Sequence, residues 1–179
     1  MKIGLFFGSF NPIHKGHIAI VKYMIACTDL EQVWLIVSPH NPLKDKNLLA
    51  DKKERLKKVK RAVKKYSEVK VSNIEFSLPQ PSYTISTLKV LRKKHPKHEF
   101  VIIMGADNLY TFHKWKKYKH ILEDYKIYIY PRRAKIKKKL DAIFKHEHVS
   151  FIKAPLLDIS STYIREMIKK GKDVKRLLA

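Results

Sequence analysis

Gly8-Ser9-Phe10-Asn11-Pro12-Ile13-His14-Lys15-Gly16-His17 is the stretch whose reading decides the fold. Before it runs the apolar segment Ile3-Gly4-Leu5-Phe6-Phe7, and after it Ile18, Val21, Met24 and Ile25 recur at helical spacing. The pattern predicts a strand over residues 2–7, a small-residue turn, and a helix over residues 16–28. At such a helix start His14 and His17 stand three residues apart on one face, beside backbone N–H groups that lack an intrahelical acceptor. Two imidazole donors flank Gly16, which has no Cβ to hold a ligand away, so the stretch reads as a phosphate site.

Working outward, Gln32–Val37 is a second continuous apolar run, stopped by Ser38-Pro39. Runs that are continuous rather than alternating suggest a parallel sheet covered on both faces, and strand, helix, strand is one βαβ unit. Val69-Lys70-Val71, Phe100–Met104, Tyr125–Tyr130 and Val149–Ile152 read as further strands. Asp51 is placed to cap a helix with Leu56, Val59, Val63 and Tyr66 on one face and a lysine run on the other, which reads as its wet side. Ser82 is a plausible cap for a helix running to about Lys94, and residues 135–146 read as a lysine-rich helix. The expected fold is α/β: a doubly wound parallel sheet, Rossmann-like, with helices on both faces.

In such a sheet ligands lie outside the carboxyl ends of the strands, where strand order reverses. If the first and fourth strands are neighbours, Gly8 and Gly105 bracket one crevice. Asp107, in the exit turn Gly105-Ala106-Asp107, is then placed to accept from a ribose hydroxyl, or else caps a helix. A second phosphate site is read in Ile159-Ser160-Ser161-Thr162-Tyr163-Ile164-Arg165, which ends a loop and opens a helix stopped near Gly171. Ser160 caps, and Ser161 and Thr162, four and three residues before Arg165, share its face at the positive end of the helix.

Composition bounds the rest. A chain of 179 residues suits one well-cored domain over 1–179, with a C-terminal helical segment from about 160 to 179 carrying the second phosphate motif. The formal net charge is +23, from 39 Lys+Arg against 16 Asp+Glu, and only seven of those 39 are Arg. A lysine excess spread along the chain reads as a surface bias that attracts anionic substrates, without the arginine forks of a base reader. Cys27 stands alone with no metal-ligand spacing, so neither an internal disulfide nor a protein-held metal is expected. Lys2 and a five-residue apolar run fall far short of a signal sequence or a membrane span, so a cytoplasmic protein without membrane attachment is expected.

The first motif resembles the signature of the HxGH nucleotidyltransferase superfamily and is most similar to bacterial nicotinate-nucleotide adenylyltransferases. Ile159–Arg165 resembles the superfamily's terminal phosphate motif, and between the two lie Ser82-Tyr83-Thr84-Ile85-Ser86-Thr87-Leu88, Gly105-Ala106-Asp107 and Trp115 at the expected places. The resemblance implies transfer of the AMP moiety of ATP to nicotinate mononucleotide, giving nicotinate adenine dinucleotide and pyrophosphate in NAD biosynthesis. It implies His14 and His17 as catalytic, with Gly8, Ser9, Phe10, Gly16, Gly105, Asp107, Ile159, Ser160, Ser161, Thr162 and Arg165 around ATP. Asn11, His40, Lys44, Tyr83, Thr84 and Trp115 are implied for the acceptor, and Mg²⁺ is expected to arrive on the ATP phosphates. The chain departs from the family pattern at Phe7, where glycine is usual, at Ser86 in place of aspartate, and at Ala134 in place of glycine.

Three alternatives stand beside this. The acceptor can be nicotinamide mononucleotide, or another phosphate such as phosphopantetheine, within the same fold. From a different class, a lysine-rich chain can be a nucleic-acid-binding module, although it has no RNP-like, KH or Cys/His pattern and its basic residues are not clustered. No specific nucleic-acid partner is therefore expected, and a homo-oligomer is left open.

Overall fold

The apolar runs become the strands of one parallel sheet. The computed structural model describes residues 1–40, 49–132, 143, 145–156 and 159–179. Its strands are β1 (Lys2–Gly8), β2 (Gln32–Val37), β3 (Val69–Ser72), β4 (Glu99–Gly105), β5 (Lys126–Tyr130) and β6 (Val149–Phe151). They pair in the order β3-β2-β1-β4-β5-β6, every pair parallel. The helices are α1 (Lys15–Cys27), α2 (Lys52–Val63), α3 (Thr84–Lys94), the short α4 (Ala106–Leu109), α5 (Tyr118–Asp124) and α6 (Ser161–Lys169). The sheet is doubly wound, and its order reverses between β1 and β4, which pair from Lys2↔Glu99 to Phe6↔Ile103. No helix among the described residues is long and apolar enough to cross a membrane.

Each continuous run resolves into two faces at the strand period of two. Ile3, Leu5, Ile36, Ile102, Met104, Ile127 and Ile129 point into one core, where Leu88 and Leu91 of α3 and Ile121 of α5 meet them. Phe6, Val33, Leu35, Val37, Val101 and Ile103 point into the other, against Ile20, Val21 and Met24 of α1 and Val59 and Val63 of α2. Both faces of the central strands are covered, and the polar residues Lys2, Gln32, Glu99 and Lys126 stand at strand starts. Each fully buried Ile or Leu contributes roughly 1.5–3 kcal/mol by leaving water, which fixes the sheet against slippage by one residue.

The ends of the elements bear on the site. Asp51 caps α2 as expected, its Oδ1 accepting from the N–H groups of Lys53 (2.8 Å) and Glu54 (3.1 Å), but the helix ends at Val63, before Tyr66. Ser82 does not cap α3. Its hydroxyl donates instead to the buried Glu75 carboxylate (Oε2, 2.9 Å), and α3 starts two residues later behind Tyr83. A buried carboxylate recruits the hydroxyl more strongly than an exposed helix end does. Ser160 does cap α6, accepting from the Tyr163 N–H at 3.1 Å, and Gly171, at φ 68°, ends it. Apart from 143, 145 and 146, the helix expected over 135–146 lies outside the described residues.

Candidate active site

Gly8 and Gly105 end β1 and β4 side by side at the reversal of strand order, and a cleft of about 410 Å³ opens beyond them. Gly8, Ser9, Phe10, Asn11, His14 and His17 form one wall. Asp107 stands at the β4 exit, and Ser160, Ser161, Thr162 and Arg165 form the opposite wall. The two stretches read as phosphate sites at opposite ends of the chain thus face each other across one space.

They are also bonded together. The Arg165 Nη1 donates to the carbonyl of Asn11 (2.8 Å), and the Ser161 hydroxyl donates to the carbonyl of Pro12 (3.0 Å), bonds that join residues 154 and 149 positions apart. Arg165 Nη2 also donates to Thr162 Oγ1 at 3.2 Å. Because the Ser161 proton is committed to Pro12, what Ser161 offers an anion is its backbone N–H in the first turn of α6, while Thr162, which accepts from Arg165, keeps its own proton to donate.

The histidines differ in role. His14 sits at the N-cap position of α1 with its ring fully buried and no hydrogen-bond partner for either ring nitrogen among the described residues. Burial, aided by the nearby Arg132 charge, lowers its pKa to about 4, so it is neutral at physiological pH. The ring of His17 lies 3.7 Å from that of His14, and its Nδ1 accepts from the His14 backbone N–H at 3.2 Å. A nitrogen that accepts carries no proton, so the neutral His17 ring bears its proton on Nε2. The Phe10 ring backs His17 edge-on at 5.1 Å.

Gly4, Gly8, Gly16 and Gly105 all sit where a Cβ would crowd a neighbour, and two of them bear on how the cleft is assembled. A Cβ on Gly16 would come 3.0 Å from Nδ1 of the immobile His14 ring and 3.4 Å from Ile159. The sequence suggests that Gly16 leaves room for a ligand. Its neighbours here are His14 and Ile159, so what it admits is the second phosphate segment. A Cβ on Gly105 would lie 2.3 Å from Asp107 Oδ1 and 3.0 Å from the Tyr130 ring, so glycine there lets the Asp107 carboxylate fold back toward the cleft.

The residues expected to meet the acceptor are gathered less tightly. Asn11 lines the cleft, and its Oδ1 accepts from the Ala50 N–H at 3.3 Å. His40, Tyr83, Thr84 and Trp115 do not line it. The His40 carbonyl lies 3.4 Å from the Ser82 hydroxyl, Tyr83 precedes α3, Thr84 opens it, and Trp115 is half-buried against Phe112 with ring centroids 5.4 Å apart. Lys44 lies outside the described residues.

Arg132, which the sequence places in the turn after β5 without a role, lines the cleft and donates to the Ile159 carbonyl at 3.3 Å. Sequence reasoning missed three further contributors. Glu75 accepts from Ser82 and, at 2.8 Å, from Thr87, and a lone acid between Ile74 and Phe76 in so basic a chain was the available signal. Lys116 holds its ammonium 4.4 Å from the centre of the Tyr83 ring. At the C-terminus the Leu177 carbonyl accepts from the Lys15 N–H (3.0 Å) and Leu178 bridges His14 antiparallel, and no pattern in the last residues marks it.

The sheet reverses at β1/β4, the two segments read as phosphate sites are bonded to each other beyond that point, and a family model described as cytidylyltransferase-like matches residues 5–167. A protein of Flavobacterium johnsoniae named "Probable nicotinate-nucleotide adenylyltransferase" is 50% identical over 178 residues, covering 99% of this chain and 92% of that protein. One of the same name from Flavobacterium psychrophilum is 51% identical over 182 residues, with the same coverage of 99% and 92%. A solved Plasmodium falciparum nicotinic acid mononucleotide adenylyltransferase complexed with NaAD has the same fold, with a TM-score of 0.83 over 99% of this chain and 90% of that one, at 20% identity. The chain belongs to the nicotinate-nucleotide adenylyltransferases of the cytidylyltransferase-like family.

Proposed function

We propose that the protein transfers the adenylyl group of ATP to the 5′-phosphate of nicotinate mononucleotide, forming nicotinate adenine dinucleotide and releasing pyrophosphate, a step of NAD biosynthesis. The observation that carries this is the bonding of Arg165 and Ser161 to Asn11 and Pro12, which makes one cleft of two phosphate-directed segments. A phosphate monoester is already an anionic nucleophile, so the work left to the protein is alignment and neutralisation of charge. The Nε2–H of His17 serves the α-phosphoryl oxygens as charge builds on them. His14, neutral and immobile, fixes the His17 ring in place. The α6 N-terminus, Thr162 and Arg165 hold the β- and γ-phosphates as pyrophosphate departs. Asp107 receives a ribose hydroxyl.

Mg²⁺ belongs to this reading as an ion carried by ATP. Among the described residues the cleft supplies a single carboxylate, Asp107, beside hydroxyls and cations, a donor set that suits a metal held mainly by phosphate oxygens. When bound it neutralises charge on the polyphosphate. Trp115, Tyr83 and Thr84 serve the pyridine ring, with His40 and Lys44 near the acceptor phosphate. The ammonium of Lys116 beside Tyr83 favours a carboxylate-bearing ring over an amide. A cytoplasmic setting, where ATP and mononucleotides are supplied, fits the reaction.

The test is pyrophosphate release from ATP and Mg²⁺ with each of the two pyridine mononucleotides. The reading expects turnover with the nicotinate form at least tenfold faster at equal concentration. Release with neither acceptor would overturn it.

A further inference from the structure

Arg55, in the first turns of α2, is 2% exposed, and among the described residues no carboxylate comes within ion-pair distance of it. Among the described residues, every side-chain bond it makes goes to a backbone carbonyl. Nη1 donates to Ser9 (2.5 Å) and Ser38 (2.8 Å), Nη2 to Pro39 (2.9 Å), and Nε to Ala50 (2.9 Å). One planar fork therefore fixes the exit turn of β1, the exit turn of β2 and the approach to α2. Burying a guanidinium carries a desolvation cost that an apolar side chain of the same size avoids, so its presence calls for a role beyond packing.

Both turns lead to the reaction. Ser9 is followed by Phe10, whose backbone is left-handed at φ 45° although it is not glycine, and the Phe10 ring backs His17. Turning the Ser9 carbonyl would move Phe10, and with it the ring assigned to the α-phosphoryl group. On the other side, Ser38 and Pro39 precede His40, whose carbonyl lies 3.4 Å from the Ser82 hydroxyl just before Tyr83 and Thr84. Ala50 adds a third link, since its N–H donates to Asn11 Oδ1 in the cleft.

We propose that Arg55 is a positioning residue that sets the ATP-facing turn after β1 and the acceptor-facing turn after β2 in one fixed relation, so that donor and acceptor phosphates meet in line. This rests on the adenylyl-transfer reading. Lysine cannot substitute, because a point ammonium does not reach four carbonyls in one plane.

Arg55→Lys, Arg55→Met and Arg55→Ala test it, with melting temperature, kcat and the KM for each substrate measured below the melt. An error of about an ångström in alignment costs on the order of 10²-fold. Arg55→Lys is expected to stay folded, to lose roughly that much kcat, and to raise KM for both ATP and the mononucleotide. Millimolar guanidinium chloride, against sodium chloride at the same strength, is expected to restore at least tenfold of the kcat lost in Arg55→Ala and none of that lost in Arg55→Met. Amide exchange, which needs no turnover, is expected to quicken together at residues 8–11 and at Ser38 and His40 in Arg55→Met. The proposal is overturned by wild-type kinetics in Arg55→Lys, by an effect confined to one substrate, by exchange that changes in only one turn, or by all three variants failing to fold. Inactive wild-type protein with coupled exchange would sink the reaction assignment and leave the coupling standing.

Discussion

The rings of His14 and His17 lie 3.7 Å apart and 30° from parallel, with His14 wholly out of water. Two imidazolium ions cannot share such a site, and burial already holds His14 at a pKa of about 4 against an ordinary 6.5. Between those values the unfolded chain binds a proton that the fold excludes, so stability falls as pH drops from about 6.5 toward 4. From pH 7 to pH 5 this one group should remove about 2 kcal/mol. Urea unfolding of wild type and His14→Gln at both pH values checks it, and the variant should lose less stability on acidification by that amount. Equal losses would refute the assignment.

A second prediction concerns the joint between the chain ends. Arg165→Lys keeps the charge but cannot serve the Asn11 carbonyl and Thr162 Oγ1 together. The expected result is a rise in KM for ATP of about tenfold or more with a small change in melting temperature, since a hydrogen bond contributes only about 1 kcal/mol net. Steady-state kinetics with ATP varied is the measurement, and an unchanged KM would count against a triphosphate role for this wall.

Gly16→Ala sets two effects against each other. Alanine favours a helix over glycine by up to about 1 kcal/mol, whereas overpacking a rigid neighbour costs roughly 1–3 kcal/mol. With His14 Nδ1 3.0 Å from the new Cβ and the ring fully buried, the clash should win. Thermal melting should show a net loss, and turnover should drop because both Ile159 and His14 are pushed. A stabilised, fully active variant would show that the ring has room to move.

Removing residues 177–179 takes away the carbonyl that accepts from the Lys15 N–H and the bridge to His14. One hydrogen bond lost from the start of α1 suggests a loss of about 1 kcal/mol in denaturant unfolding. Faster amide exchange at Lys15 should accompany it. If neither changes, the tail is not part of the support for the histidine pair.

The sheet was legible because its strands are buried on both faces and write continuous apolar runs, from Ile3–Phe7 to Tyr125–Tyr130. The two phosphate segments were legible because their spacing puts polar groups at helix starts. That the two segments meet over one polyphosphate was legible as well; the bonds that join them were not, because Arg165 and Ser161 bind carbonyls of Asn11 and Pro12, and every residue type carries a carbonyl. The same reason hid the reach of Arg55. Ser82 misled because a hydroxyl before a helix suggests a cap unless a buried acid competes, and Glu75 comes into range only through the fold.

The most direct test is the kcat of His17→Ala at saturating ATP, Mg²⁺ and nicotinate mononucleotide, beside its melting curve. Loss of a donor aimed at developing charge typically costs about 10²–10³-fold in kcat. A fall of that size in a protein that melts like wild type is the predicted result, and near-normal turnover would contradict the account.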